Sequence, residues 1–188
     1  MNKDEMKLCR TISLAFFMFV FCGVMNAQRN TFGTSWGLSE IGLSYGRVIK
    51  DDIFLLAGIH LETGETLAGR TKMPGAAASF TWNTIFARKE SGNGNEIRFF
   101  AGPGAAVGYC KDIRIKKAEQ GLQGTYFGLK GRLGMEIVYD RNVNISICVA
   151  PVLGLHMARD MSGNLLARYY RYGLLQTIIP EIGISYRF

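Results

Sequence analysis

The last nine residues, Pro180-Glu181-Ile182-Gly183-Ile184-Ser185-Tyr186-Arg187-Phe188, decide the fold. Apolar side chains recur there at every second position, at Ile182, Ile184, Tyr186 and Phe188, with small or polar residues between them. Successive side chains of a β-strand point to opposite faces. The pattern therefore predicts a strand with one apolar face that ends in an aromatic residue.

The same alternation recurs upstream, so that the sequence predicts seven strands with one apolar face each. The opposite faces carry glycines and charged residues such as Arg98, Lys130 and Glu136. The apolar positions of the six upstream strands are Ile41, Leu43 and Tyr45; Ile53, Leu55, Ala57, Ile59 and Leu61; Ala76, Ala78, Phe80, Trp82, Thr84 and Phe86; Ile97, Phe99, Ala101, Pro103, Ala105, Val107 and Tyr109; Phe127, Leu129, Leu133, Met135, Ile137 and Tyr139; and Val143, Ile145, Ile147, Val149, Pro151, Leu153 and Leu155.

Two classes of protein show this alternation. In a secreted soluble β-protein the apolar faces point into a core, and the strands are commonly about 5–6 residues long. Here most of the segments are longer, and aromatic residues such as Tyr45, Tyr109 and Tyr139 stand at their ends, as in the two aromatic belts of a membrane barrel. These features favour an antiparallel transmembrane β-barrel whose apolar face meets lipid.

The N-terminus has the pattern of an export signal. Lys3, Lys7 and Arg10 precede an apolar run from Ile12 to Met25, which is shorter than the roughly 20 residues of a spanning helix. Such a run after a basic start is typical of a cleaved signal peptide. We therefore expect residues 1–27 to be a signal peptide, cut near Ala27, and residues 28–188 to form one outer-membrane barrel domain.

The charge of the mature chain bears on its partners. The whole chain has a formal net charge of +7, and removal of residues 1–27 leaves +6. An exported protein meets no nucleic acid, so the expected partners of exposed cations are outer-membrane lipids and the phosphates of lipopolysaccharide. The basic stretch Lys111, Arg114, Lys116 and Lys117 is the candidate loop for this contact, the alternative being a solvated loop.

Connection lengths predict the orientation. Short turn signals occur at residues 50–52, 89–96 and 140–142, whereas the connections at 64–74, 110–124 and 157–175 are longer. Short connections of such barrels face the periplasm, and long ones face the exterior. An even strand number then needs an eighth strand, expected within Gln28 to Ser35, or alternatively within Leu165 to Tyr172.

The chain resembles the small eight-stranded outer-membrane barrels of the OmpA/OmpX type. The resemblance rests on the expected signal peptide, the alternating apolar residues, the unequal lengths of the connections and the aromatic residue at the C-terminus. The resemblance implies insertion by the barrel assembly machinery, which reads the terminal strand. The residues that match this assembly signal are Ile182, Ile184, Tyr186 and Phe188. The family includes adhesins, protective surface proteins and a few lipid enzymes, so the fold does not determine the activity.

The inward face of the predicted barrel carries a polar network. Counting from the turns places Glu136 opposite Ser146, Tyr126 opposite His156, and Glu40 opposite His60. The interior of an eight-stranded barrel is filled by side chains, and buried charges there have to be paired. We expect a structural network that needs no metal or cofactor, formed by Glu40, His60, Glu62, Arg98, Lys130, Arg132, Glu136 and His156.

The alternative is a lipid A or phospholipid hydrolase or acyltransferase. A serine hydrolase needs a serine within hydrogen-bond reach of a histidine that a carboxylate orients. His60 and Glu62 share a face, but their own strand supplies no inward serine. The sequence thus favours a monomeric barrel without catalytic residues, with a surface or membrane-structural role; a component of a larger envelope or secretion assembly is a further alternative.

Overall fold

The computed structural model of the protein describes residues 29–37, 40–67, 74–90, 95–112, 123–139, 142–159, 163–176 and 178–188. No helix in this part of the chain is long and apolar enough to cross a membrane. The expected signal peptide lies outside the described residues. The elements are β1 (Asn30–Trp36), β2 (Glu40–Lys50), β3 (Ile53–Glu62), α1 (Gly64–Leu67), β4 (Gly75–Glu90), β5 (Glu96–Lys111), β6 (Gln123–Tyr139), β7 (Val143–Val149), β8 (Val152–Arg159), β9 (Leu165–Tyr169), α2 (Arg171–Leu175) and β10 (Glu181–Arg187).

The strands form one antiparallel sheet that closes on itself. From β1 to β6 each strand pairs with the next one along the chain. β6 pairs with β7, β7 with β10, and β10 with β1, which completes the ring. Closure gives each strand of this ring a partner on both sides, so its backbone N–H and C=O groups are paired within the wall. The predicted all-β, eight-stranded barrel is confirmed.

In two places around the barrel, two shorter strands follow one another along the same neighbouring strand and together take the place of one long strand. β7 and β8 both pair with β6, while β10 pairs with β7 and β9 pairs with β8. The prediction of one continuous strand from Val143 to Leu155 is therefore wrong at Ala150 and Pro151. Proline has no N–H to donate to a ladder, and the strand is interrupted at Pro151, although β5 continues through Pro103. The Gly131 N–H still donates to the Pro151 carbonyl at 2.8 Å, so the segment between β7 and β8 remains hydrogen-bonded to β6.

The strand that completes the barrel is β1, in the segment where a short eighth strand was expected. It pairs with β10 from Thr31 opposite Arg187 to Trp36 opposite Ile182. The alternative segment is a strand as well, because part of it forms β9. β9 extends the wall position of β10 instead of replacing β1, so the strand number remains eight.

Connections divide the barrel into two ends, as predicted. The end with the short connections is called the turn end, and it also holds the first and last described residues. The end with the long connections is called the loop end. The turn end contains residues 51–52 and the strand ends at Glu90 and Glu96 and at Tyr139 and Val143. The loop end contains the strand ends at Glu62 and Gly75, at Lys111 and Gln123, and at Arg159 and Leu165, and the short connection from Trp36 to Glu40 lies on the same side.

The apolar face of the wall points outward. On β4, the exposed Phe80 and Trp82 alternate with the buried Thr81 and Asn83. On β10, the exposed apolar residues alternate with Arg187, which lines the lumen. A soluble barrel would bury the first set and expose the second. The exposed large apolar residues of the outward face include Phe32, Trp36, Ile41, Leu43, Ile59, Leu61, Phe80, Trp82, Phe86, Phe99, Val107, Tyr109, Phe127, Leu129, Leu133, Tyr139, Ile145, Ile147, Leu153, Leu155, Ile182, Ile184, Tyr186 and Phe188.

Candidate functional site in the barrel lumen

Residues 170–176, here called the plug, fold into the lumen at the loop end. Tyr170 follows β9 directly and is 1% exposed. Asp112, at the end of β5, accepts hydrogen bonds from the backbone N–H groups of Arg171 and Tyr172, each at 3.1 Å. These two bonds satisfy N–H groups of the first turn of α2 that have no partner within the helix. The carboxylate thus fixes the plug to the barrel wall.

The plug is also held by aromatic stacking and a buried carboxylate. The Tyr170 ring stacks on Tyr126 of β6 with centroids 3.9 Å apart and an interplanar angle of 8°. Both hydroxyl groups donate to Oε1 of Glu62, at 3.1 Å from Tyr170 and 2.9 Å from Tyr126. Burying a carboxyl group is costly unless it is hydrogen-bonded, and the two tyrosines provide these bonds. The loop end of the lumen is therefore filled by side chains.

Glu40 connects the plug to the middle of the lumen. Its Oε2 accepts a hydrogen bond from Nε2 of Gln176 at 3.3 Å. Its Oε1 lies 3.9 Å from Nζ of Lys130 and 4.0 Å from Nδ1 of His60. Glu40 and Lys130 are 3% and 4% exposed, so each depends on the other to compensate its charge.

The direct pairing of Glu40 with His60 that we expected is wrong by two residues. Glu40 lies opposite Glu62, and His60 lies opposite Gly42. The register shifts at Ile49, which has no partner between Val48 and Lys50. Such a bulge adds one residue to one strand of a pair, which does not explain a difference of two. A turn centred on Asp51 already places Glu40 opposite Glu62, so the expected pairing was miscounted by two residues. Glu40 and His60 are therefore diagonal neighbours, and their side chains still approach because both point inward. The other two predicted pairs, Glu136 with Ser146 and Tyr126 with His156, are confirmed.

A second charged cluster occupies the turn end of the lumen. Arg98 donates to Oε2 of Glu96 from Nε at 2.8 Å and from Nη2 at 2.5 Å. Oε2 of Glu136 lies 3.9 Å from Nη1 of Arg98. Arg132 donates from Nη2 to Sγ of Cys148 at 3.1 Å, and its guanidinium lies 5.1 Å from the centre of the Phe100 ring. Arg98 therefore has two carboxylates as partners, while Arg132 contacts a sulfur atom and an aromatic ring.

The structure places the members of the predicted lumen network in three groups. His156 and Glu62 surround the plug, and Nε2 of His156 is 3.0 Å from the carbonyl oxygen of Cys110. Glu40, His60 and Lys130 form the middle group, while Arg98, Arg132 and Glu136 lie toward the turn end. Among the described residues, no three His, Cys, Asp or Glu side chains converge in a way that could hold a metal ion.

Several lumen residues were absent from the sequence-based network. Asp112, Tyr170 and Gln176 belong to segments whose inward fold has no strand period to reveal it. Ser79 and Glu181 do lie at inward positions of predicted strands, so the alternation contained their signal. Of the basic stretch proposed to bind lipopolysaccharide, Lys111 ends β5, and Arg114, Lys116 and Lys117 lie outside the described residues.

The polar groups surround a small cavity. Its volume is about 70 Å³, and its wall includes His60, Ser79, Lys130 and Arg132. The lining continues to Asp51 in the exposed turn after β2, so the cavity extends from the middle of the lumen to the turn end. A water needs about 15 Å³ of such volume, so the cavity has room for roughly five waters. The lumen therefore admits a small molecule and leaves no wide pore.

Removal of the Asp112 carboxylate is expected to loosen the plug. Hydrogen bonds to a charged group contribute about 1.5–3 kcal/mol each, and a change of about 1.4 kcal/mol is tenfold in an equilibrium. We therefore expect Asp112→Ala to increase trypsin cleavage after Arg171 by about tenfold or more. Asp52→Ala, in a turn at the opposite end, is the matched control. Equal cleavage of both variants would show that Asp112 does not hold the plug.

Comparison with known proteins gives matches at the level of structure alone. No family model and no curated protein matches the sequence. The N-terminal β-barrel domain of Pseudomonas aeruginosa OprF is similar over 87% of this chain and 100% of its own, with 14% identity and a TM-score of 0.46. A major outer membrane protein of Thermus thermophilus is similar over 85% of this chain and 98% of its own, with 10% identity and a TM-score of 0.44.

Proposed function

We propose that the protein is a monomeric, integral outer-membrane barrel of a Gram-negative bacterium with a structural or surface role that requires no catalysis. The observation that carries this proposal is the outward face of the wall. Large apolar side chains such as Ile59, Leu129 and Leu153 are more than 60% exposed there. A soluble protein rarely exposes a continuous apolar surface of this extent, whereas a bilayer stabilises it.

The filled lumen supports a role other than transport. The plug and its tyrosine layer occupy the loop end, and the remaining cavity has a volume of about 70 Å³. Eight-stranded barrels are filled by side chains, while water channels require many more strands. The function we propose therefore depends on the barrel in the membrane and on its loop end.

The loop end is the proposed contact surface for outer-membrane lipids. With the turn end in the periplasm, the loop end faces the lipopolysaccharide layer, and Lys111 at the end of β5 lies there. Arg114, Lys116 and Lys117 follow it in the sequence and are proposed to contribute to the same contact. Lysine and arginine bind phosphate through charge-assisted hydrogen bonds, so phosphate groups of lipopolysaccharide are suitable partners. Insertion by the barrel assembly machinery and removal of residues 1–27 belong to the same proposal.

Electrophoretic mobility tests the membrane barrel. A closed barrel satisfies its backbone hydrogen bonds internally, so the folded protein is expected to resist dodecyl sulfate until it is heated. Membranes prepared after expression should therefore contain the mature chain in a form that migrates differently before and after boiling. Recovery in the soluble periplasmic fraction, or identical migration of membrane-inserted protein with and without boiling, would contradict the proposal.

A further inference from the structure

A serine, a histidine and a carboxylate lie in line across three neighbouring strands of the lumen wall. Ser79 of β4 places its Oγ 2.8 Å from Nε2 of His60 of β3. On the other side of the imidazole ring, Nδ1 lies 4.0 Å from Oε1 of Glu40 of β2. Nucleophile, base and carboxylate follow in the order that activates a serine for attack on a carbonyl carbon.

The contact between His60 and Glu40 has a physical reason to become shorter. Nδ1 of His60 and Oε1 of Glu40 are both buried without a hydrogen-bond partner. A buried polar atom left without a partner costs about 1–3 kcal/mol. The two atoms face each other, so an approach of about 1 Å gives both a partner at normal hydrogen-bond distance. That bond holds a proton on Nδ1 and leaves the Nε2 lone pair free to accept the proton of Ser79.

The wall fixes the orientation of the imidazole ring. A Cβ atom added at Gly42 would lie 2.5 Å from Nδ1 of His60, and one added at Gly58 would lie 2.7 Å from Nε2. Glycine at these two positions therefore leaves the space that the ring occupies. A ring held in this way directs Nε2 at Ser79 before any ligand enters, which is the preorganisation that a reactive serine requires.

The same cavity provides a place for a substrate. His60, Ser79, Lys130 and Arg132 all line it, and it extends to the turn end. The two cations are suited to stabilise the negative charge that develops on a carbonyl oxygen under attack. With room for roughly five waters, the cavity accepts an acyl group of a few heavy atoms and excludes a lipid acyl chain.

The geometry points to a reactive serine at Ser79, with His60 as its base and Glu40 as a positioning residue, that takes short-chain acyl esters from the turn end. Ser79 Oγ bonds to the carbonyl carbon, and its proton passes to Nε2 of His60. The ester C–O bond breaks, and the leaving alcohol takes that proton. Water then attacks the acyl-serine, which releases the carboxylic acid and restores the Ser79 hydroxyl. This activity goes beyond the proposed structural role and depends only on the folded lumen.

Acetylation by p-nitrophenyl acetate tests the inference in the purified, folded barrel in detergent micelles. We expect release of p-nitrophenolate together with one acetyl group on the fragment that contains Ser79, detected by mass spectrometry. Ser79→Ala should abolish this adduct, and His60→Gln should lower its rate by about 100-fold or more, in line with the loss of a triad member. Thr84→Ala is the matched control, because Thr84 carries a hydroxyl group on the same strand as Ser79 but lies on the outward face, away from the cavity.

Glu40→Gln separates positioning from a merely structural contact. It should lower the maximal rate of acetylation without changing the ester concentration that gives half of that rate, because Glu40 touches the base and not the ester. The heat-dependent shift in mobility shows for every variant that the barrel is folded. A folded parent without an adduct on Ser79, or an adduct that forms equally fast in folded His60→Gln, overturns the inference. Neither result affects the proposed membrane role, which the mobility and fractionation experiment tests separately.

Discussion

Replacement of Glu40 by alanine is expected to lower the free energy of unfolding by about 3–5 kcal/mol, the usual effect of removing one partner of a buried ion pair. Lys130 is 4% exposed and forms an ion pair with Glu40 at 3.9 Å, so the substitution leaves a buried cation without this partner. The variant also removes the acceptor of the hydrogen bond from Gln176 in the plug. Chemical unfolding in detergent or lipid, followed by the change in mobility, measures the effect.

Glu90→Ala is the matched control for this measurement. Glu90 is also a strand glutamate, but it is exposed at the turn end of β4, where removal of a charge should change stability by about 0.5 kcal/mol or less. Glu136→Ala should fall between the two variants. Its partner Arg98 keeps two hydrogen bonds to Glu96 after the substitution. Equal unfolding midpoints for Glu40→Ala and Glu90→Ala would contradict the buried ion pair.

Replacement of Phe188 by alanine is expected to reduce the amount of folded barrel in the membrane several-fold, most visibly at high expression. Phe188 stands on the outward face with Ile182, Ile184 and Tyr186, at the turn end. An aromatic ring at this height anchors a strand, because it lies partly in lipid and partly in the interface. The backbone bonds that join Phe188 to Asn30 need no side chain, so the variant isolates the ring.

Arg187→Gln is the control in the same strand. Arg187 lines the lumen and lies on the face that the lipid does not meet. Heat-dependent mobility of membrane samples gives the folded amount, and the size of the unfolded chain shows whether signal removal is unchanged. Normal insertion of Phe188→Ala together with failed insertion of Arg187→Gln would mean that the assembly machinery recognises the opposite face of this strand.

The outward half of the fold could be predicted from the sequence because alternation is a local property. Side chains at every second residue of a strand point to the same face, whichever strand lies beside it. The exposed row from Ile182 to Phe188 and the inward positions of Glu40 and His60 could therefore be predicted without knowing the neighbouring strands. The short turns set the two ends of the barrel in the same way. Pro151 carried a visible signal for the break between β7 and β8, since proline has no N–H to donate to a ladder, but Pro103 lies within the continuous β5, so the residue alone does not determine a break.

Contacts inside the lumen were decided by the tertiary structure. The bulge at Ile49 moves the pairing of β2 with β3 by one residue, because a shift in register moves every side-chain pair along a strand. Ser79 meets His60 diagonally from the next strand, a contact that no single segment displays. The plug depends on closure of the barrel, because Tyr170 stacks on Tyr126 and binds Glu62 only where distant strands converge. The sequence alone thus determined which face of each strand meets lipid, and closure of the ring determined which inward groups meet each other.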